Sequence, residues 1–199
     1  MNQDPQISFK RSIENIVSIS DETWDELKSI LSVRNLEKDE FVVKENQLYN
    51  QEIFVHQGII RGFYCSESGD EFNVTFYLDN EIVIPCVSRS KNGKSNINFQ
   101  ALTTATIFEI DQDAMKTLRL KHPQLYVYGN IIQEKELNRK TQREISLLVK
   151  SAEERYLMFR KTYPNLENKI SQYHIASYLG ITPVSLSRLR KNLVKNRPA

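Results

Sequence analysis

The sequence predicts an α+β protein with an N-terminal antiparallel β jelly roll, one long helix, and a C-terminal pair of short helices joined by a tight turn. Three observations carry this prediction. Short runs of β-branched and aromatic residues, separated by turn residues, fill 41–110. A helical pattern runs from Gln124 to about Leu148, with no Gly or Pro after Gly129. Beyond it, Gln172 to Lys191 has the spacing of two helices around a glycine turn.

The length of 199 residues suits one domain of ordinary size and a small second one. Hydrophobic residues make up 40% and charged residues 26%, which excludes disordered and fibrous proteins. The N-terminus has no basic start and no apolar run, and no window is apolar enough to span a membrane, so we expect a cytoplasmic protein without membrane contact. Cys65 and Cys86 are expected to be small buried side chains in a reducing compartment.

The net charge of +2 is the sum of two unequal parts. Residues 1–149 contain 17 basic and 22 acidic residues, net −5, whereas 150–199 contain 10 basic and 3 acidic residues, net +7. A basic C-terminal part favours nucleic-acid binding, although a solvated lysine-rich end is the simpler alternative.

The elements begin with a short amphipathic helix that we expect to open the fold. Ser20 is its predicted N-cap, followed by acidic residues and by an apolar stripe that includes Trp24, Leu27, Ile30 and Leu31. Turn residues at 68–70 and 92–93 then separate short strands. Because no helix is long enough to cross between them, these strands predict an antiparallel sandwich or jelly roll. The predicted strands are 41–44, 53–56, 59–64, 72–77, 99–102 and 106–110.

Asp111 is predicted to cap a helix that runs through Leu120, and Pro123 to open the long helix. The long helix has an imperfect apolar heptad, with charged residues at Lys135, Glu136 and Arg139 between its members. Either this stripe is a dimer seam, which we favour, or it packs on its own sandwich. The stripe comprises Leu125, Tyr128, Ile132, Leu137, Ile145 and Leu148.

The C-terminal motif satisfies several constraints of a DNA-binding helix-turn-helix. Ala176 allows close helix crossing, Gly180 can adopt positive φ, and Thr182 and Pro183 start the second helix. The second helix enters the major groove in such motifs, so Arg188 is the best candidate for a guanine contact. Apolar contacts are expected from Ile175, Leu179, Ile181, Leu186 and Leu189. The predicted DNA-contacting residues are Thr182, Val184, Ser185, Ser187, Arg188, Arg190, Lys191 and Lys195, with Arg197 as a further phosphate neutraliser.

The order of these parts resembles the Crp/Fnr family of bacterial transcription regulators over nearly the whole chain. The matching segments are 36–64, 152–157 and 175–193. The resemblance implies a cyclic-nucleotide-binding-like effector domain at 1–122, a dimerisation helix at 123–149 and a DNA-binding domain at 150–199. It further implies a homodimer on a palindromic operator of double-stranded DNA. Members usually carry a β wing after the recognition helix, and we expect this chain to lack most of one.

The resemblance also places an effector pocket. The family's Gly-Glu pair falls on Asn80 and Glu81, its Arg-Ser pair near Lys94 and Ser95, and a helix position that faces the nucleotide base on Thr141. These residues argue against cyclic AMP, because the arginine is missing and Pro85 removes an NH from the phosphate cradle. Three glycine positions of the family are filled by residues that tolerate positive φ, so we expect the turns to survive. They are Asp39, Asn46 and Asn80.

No cofactor, catalytic residue or metal site is predicted. Two cysteines cannot supply an iron-sulfur ligand set, and His56 is interpreted as a strand residue rather than a haem ligand. Gly93-Lys94-Ser95 is a weak match to a phosphate loop, because Ser88 stands where the earlier glycine would be. An enzyme is therefore not favoured, and the alternative function is a ligand or protein sensor that does not bind DNA. RNA polymerase and an unidentified small-molecule effector remain candidate partners.

Overall fold

A computed structural model describes residues 5–84 and 92–195. The chain divides into two compact units. The first comprises Met1–Gly62 and Phe76–Leu137, and the second comprises Phe63–Thr75 and Asn138–Ala199.

Seven α-helices, a short 3-10 helix at Leu166–Asn168 and eight strands are found in the described residues. The helices are α1 (Pro5–Glu14), α2 (Asp21–Ser29), α3 (Gln112–Lys121), α4 (Pro123–Val149), α5 (Ala152–Thr162), α6 (Gln172–Leu179) and α7 (Pro183–Lys195). The strands are β1 (Leu31–Leu36), β2 (Phe41–Val43), β3 (Gln51–Gln57), β4 (Ile60–Cys65), β5 (Glu71–Tyr77), β6 (Glu81–Val83), β7 (Asn98–Ala101) and β8 (Ala105–Asp111).

The strands form two four-stranded sheets with the orders β1-β8-β3-β6 and β2-β7-β4-β5. In the first sheet every pairing is antiparallel, and Phe54 of β3 lies opposite Phe108 of β8 and Ile82 of β6. The prediction of an antiparallel jelly roll with a C-terminal helix-turn-helix is confirmed.

The N-terminal elements differ from the prediction. Ser20 caps α2 as expected, accepting a hydrogen bond from the Thr23 amide. The predicted stripe was wrong at Leu31, because the helix ends at Ser29 and Leu31 pairs with Ile110 as the first residue of β1. Nor does this helix open the fold, since α1 precedes it and buries Phe9 and Ile13 completely.

The core of the first unit lies between the β1-β8-β3-β6 sheet and the helices that cover it. The Phe9 ring centroid is 4.5 Å from that of Phe54, and both side chains are fully buried. Leu125 and Tyr128 of α4 belong to the same cluster. The N-terminal part of α4 therefore packs on its own unit. At these two positions the structure agrees with the alternative prediction and not with a dimer seam.

The three residues that replace family glycines all adopt left-handed backbone conformations, with φ of 69° at Asp39, 65° at Asn46 and 66° at Asn80. The expectation that these turns survive is confirmed. The prediction for Cys65 was wrong: its side chain is exposed, because the residue lies at the end of β4, outside the core. Cys86 lies outside the described residues. Across 5–84 and 92–195, no helix combines the length and apolarity that crossing a membrane requires.

Candidate nucleic-acid interface

The second unit has a core of aromatic side chains from α5, α6 and the segment between them. The ring centroids of Phe159, Tyr163 and Tyr178 lie 5.5 to 5.7 Å from one another. At the start of α5, Ser151 and Glu154 form a reciprocal capping box, with Glu154 Oε2 accepting from the Ser151 amide at 2.8 Å. That amide lowers the pKa of the Glu154 carboxyl. The ring contacts of Tyr178 therefore pack α6 against α5 and the segment that follows α5.

The turn between α6 and α7 has the predicted construction. Ala176 is fully buried, and Gly180 adopts a left-handed conformation with φ of 68°. The Ile181 amide donates to the Ala176 carbonyl at 3.0 Å, and the Gly180 amide donates to the Ser177 carbonyl at 3.2 Å. This double closure is the helix end that glycine favours, so α7 leaves α6 in a defined direction.

Two arginines that were not predicted complete the C-terminus of α6. Arg155 Nε donates to the Leu179 carbonyl at 2.9 Å, and Arg143 Nη2 donates to the Tyr178 carbonyl at 3.3 Å. The Arg143 guanidinium also lies over the Tyr178 ring, 5.0 Å from its centroid, and burial lowers the pKa of this guanidinium. Positive charge at this position also complements the negative end of the α6 dipole.

The exposed face of α7 contains the residues that the sequence indicated for DNA. Thr182 caps the helix by accepting from the Ser185 amide at 3.1 Å, and its hydroxyl lies 2.9 Å from the Ser185 hydroxyl. Val184, Arg188 and Lys191 are exposed, and their spacing of four and three residues places them on one face. The face is therefore polar and basic around one apolar side chain.

The other predicted contact residues are placed differently. Ser187 and Arg190 are half-buried, and Arg190 is close enough to Tyr156 to act electrostatically on its hydroxyl. The backbone of Lys195 ends α7, whereas its side chain and all of Arg197 lie outside the described residues.

Known proteins share both sequence and fold with this chain. No protein-family model matches it. The transcriptional activator protein Anr of Pseudomonas protegens is 26% identical over 192 residues, covering 90% of this chain and 78% of Anr. The structure of FixK2 from Bradyrhizobium japonicum superposes with a TM-score of 0.75 at 17% identity, covering 83% of this chain and 85% of FixK2. A transcriptional regulator of the Crp/Fnr family from Eubacterium rectale gives a TM-score of 0.69 at 17% identity, covering 91% and 88%.

The chain is thus similar in sequence to the regulator Anr and in fold to solved structures that include a Crp/Fnr regulator. Its effector-pocket positions, which were assigned through that resemblance, form mostly local contacts. Glu81 Oε2 accepts from the Leu78 amide at 2.7 Å, and Ser95 is buried with its hydroxyl donating to the Ile97 carbonyl at 2.6 Å. Lys94 is exposed, and its backbone forms an isolated antiparallel β-bridge with Leu48. The Asn80 amide donates to the Val55 carbonyl. Exposed Thr141 belongs to the other unit, and Pro85, Ser88 and the rest of 85–91 lie outside the described residues.

Polar groups buried in the jelly roll were not predicted as a cluster. Arg61 is 3% exposed, and its Nε and Nη2 donate to Gln100 Oε1 at 2.9 and 2.5 Å. The Tyr77 hydroxyl donates to Glu136 of α4 at 3.0 Å. Within the described ranges, no group of three or more His, Cys, Asp and Glu side chains could hold a metal ion.

Proposed function

We propose that this chain is a homodimeric, sequence-specific DNA-binding regulator of transcription, with α7 in the major groove of a palindromic operator. One observation carries the proposal: a helix-turn-helix with a fully satisfied turn presents Val184, Arg188 and Lys191 on one exposed face of α7. A helix packed only to fill a core would not leave a basic face open. The relative Anr is itself named a transcriptional activator, which agrees with the proposal.

In this arrangement each part of α7 has its own role. The guanidinium of Arg188 can donate to O6 and N7 of guanine, whereas Val184 can contact a thymine methyl group. Lys191, together with Lys195 and Arg197, would neutralise phosphates. The first turn of α7 carries no acidic residue, so no carboxylate there would repel a phosphate oxygen.

Dimerisation is assigned to α4, whose C-terminal half exposes apolar residues. Ile145 is 43% exposed and Leu148 is 79% exposed, and both belong to the predicted stripe. Such side chains on a helix are typical of a seam with a second helix. We therefore propose an effector domain at 1–122, a dimerisation helix at 123–149 and a DNA-binding domain at 150–199, acting in the cytoplasm. RNA polymerase and a small-molecule effector are further candidate partners, and no cofactor is assigned.

The direct test is selection of bound sequences from random double-stranded DNA, followed by affinity measurements on the selected operator. Arg188→Ala should weaken operator binding by about 1 to 3 kcal/mol, because one bidentate base contact is lost. The fold should be unaffected, since Arg188 is exposed.

Lys169→Ala is the control, because it removes one positive charge from the same unit at an exposed position outside α7. Equal affinities of wild type and Arg188→Ala would contradict the assigned role of Arg188. Failure to enrich any DNA sequence would favour the sensor that does not bind DNA.

A further inference from the structure

The tip of the β4-β5 hairpin belongs to the same compact unit as the helix-turn-helix. Strand β5 is the last strand in the order β2-β7-β4-β5. An edge strand presents backbone amide and carbonyl groups that have no neighbouring strand to bond with.

Ser177 of α6 bonds to both backbone positions. Its hydroxyl donates to the Glu71 carbonyl at 2.6 Å and accepts from the Asn73 amide at 2.9 Å. Glu71 and Asn73 are two residues apart, which is the repeat along one edge of a strand. One hydroxyl thus replaces the acceptor and the donor that a neighbouring strand would have supplied.

Further bonds extend this contact to α4. The Asn73 side chain is buried, and its Nδ2 donates to the His174 carbonyl at 3.3 Å. Arg143 Nη2 of α4 donates to the Asn73 carbonyl at 3.0 Å and to the Tyr178 carbonyl at 3.3 Å. Glu71, Asn73, Arg143 and Ser177, which we call the hairpin joint, connect β5, α4 and α6 within one unit.

We propose that the hairpin joint is a positioning device that sets the spacing between the two recognition helices, and this inference rests on the proposed dimeric DNA binding. Ala176 of α6 and Leu186 of α7 are both fully buried and the Gly180 turn joins the two helices, so fixing α6 also fixes α7. The joint ties α6 to the C-terminal half of α4, the part assigned to the dimer seam. Ser177 and Arg143 thereby act on DNA recognition without contacting DNA.

The joint predicts a strict requirement for half-site spacing. Inserting one base pair moves a half-site by about 3.4 Å and rotates it by roughly 35°. Two recognition helices that are held rigidly cannot adjust to both the shift and the rotation. Two helices that are held less rigidly can adjust to them in part. The measured quantity is therefore the ratio of the affinities for the correct and the altered half-site spacing. A general loss of stability would not lower this ratio.

The experiment compares wild type, Ser177→Ala and Ser177→Thr on the selected operator and on versions with one base pair inserted or deleted between half-sites. We expect wild type and Ser177→Thr, which keeps the hydroxyl, to lose about tenfold or more in affinity on the altered spacings, as for one lost base contact. Ser177→Ala should lose only about twofold to threefold, because the joint has lost both hydroxyl bonds. Amide hydrogen exchange at Asn73 should be faster in Ser177→Ala alone.

Two further variants complete the design. Arg143→Gln removes the guanidinium bonds that α4 contributes to the hairpin joint. It should reduce the spacing discrimination in the same way. Ser29→Ala removes an exposed hydroxyl that bonds only within α2 and should behave as wild type. Unchanged discrimination in both Ser177→Ala and Arg143→Gln would overturn the inference while DNA binding stood. Absence of operator binding by wild type would instead overturn the proposed function.

Discussion

Each of the last four carbonyls of α6 receives a hydrogen bond from a different residue. The carbonyls of Ala176 and Ser177 accept from backbone amides of the turn. Those of Tyr178 and Leu179 accept from the guanidinium groups of Arg143 and Arg155. Helix ends leave these four carbonyls without intrahelical partners, and a buried end without donors is costly. The turn that directs α7 is therefore held by side chains from α4 and α5 as well as by its own glycine.

Gly180→Ala should reduce the free energy of unfolding by about 1 to 2 kcal/mol. A side chain at φ of 68° is strained, and the added Cβ would lie 3.3 Å from Cδ2 of Leu147. Gly69→Ala is the matched control, because φ is 87° there and the added Cβ meets nothing within 4 Å. We expect the control to cost less than about 1 kcal/mol, since strain alone acts and the unfolded chain loses some freedom.

Urea unfolding followed by circular dichroism measures both changes. A Gly180→Ala variant as stable as wild type, or less affected than Gly69→Ala, would show that the turn tolerates a side chain.

Residues of the helix-turn-helix differ in how well the sequence predicts them. Ala176, Gly180 and Thr182 were predictable because their roles depend on fixed spacing within one short segment. Arg143 and Ser177 were not, because their partners are distant: Arg143 bonds Tyr178, 35 residues away, and Ser177 bonds Asn73, 104 residues away. A single sequence carries no periodic signal for such pairs.

At the scale of elements, α4 has two different environments along one helix. Its N-terminal part contributes Leu125 and Tyr128 to the core of the first unit. Its C-terminal part leaves Ile145 and Leu148 exposed, although both are apolar. The heptad pattern could not separate these two situations, because the same apolar period suits a core face and a seam.

The double variant Ile145→Glu/Leu148→Glu should convert the protein from a dimer to a monomer. Burying two carboxylates in an apolar seam is unfavourable, and like charges would face each other across the twofold axis. Sedimentation velocity at micromolar protein measures the state, and operator affinity should fall because only one half-site is bound at a time.

Leu120→Glu supplies the control for that experiment. Leu120 is 80% exposed at the end of α3, so the same chemical change is made outside α4. A double variant that stays dimeric, or a control that also dissociates, would contradict the assignment of α4 as the seam.

The elements that the sequence failed to predict have common physical causes. Strand β1 follows α2 without a turn residue, and its apolar Val33 is 55% exposed, so the alternating pattern is lost. Strand β6 has only three residues, too few for a period to be recognised. The other strands between Phe41 and Ile110 were predictable because turn residues separate them.

At the scale of the whole molecule, charge is divided as the proposed function requires. The first 149 residues carry net −5 and the last 50 carry net +7. An acidic body limits nonspecific attraction to DNA, whereas the basic part supplies favourable contacts with phosphates. The small total of +2 conceals this arrangement.

Operator binding should weaken steeply with salt. If Lys191, Lys195 and Arg197 of each protomer neutralise phosphates, the slope of log K against log salt concentration is about −5 for the dimer. Lys191→Ala should make this slope shallower by about 2, because one phosphate contact is lost in each half-site. Fluorescence anisotropy over a salt series measures it.

Lys169→Ala, at its exposed position outside α7, should leave the slope unchanged. A Lys191→Ala slope equal to that of wild type would remove Lys191 from the phosphate contacts.

The contact between Ser177 and β5 also bears on solubility. An open strand edge is a template on which another chain can add a strand, and such pairing leads to aggregation. Because the Ser177 hydroxyl occupies the backbone groups of Glu71 and Asn73, part of the β5 edge is closed to a second chain while α6 is docked. A chain truncated before α6 would therefore leave these backbone groups of β5 open to pairing with another strand.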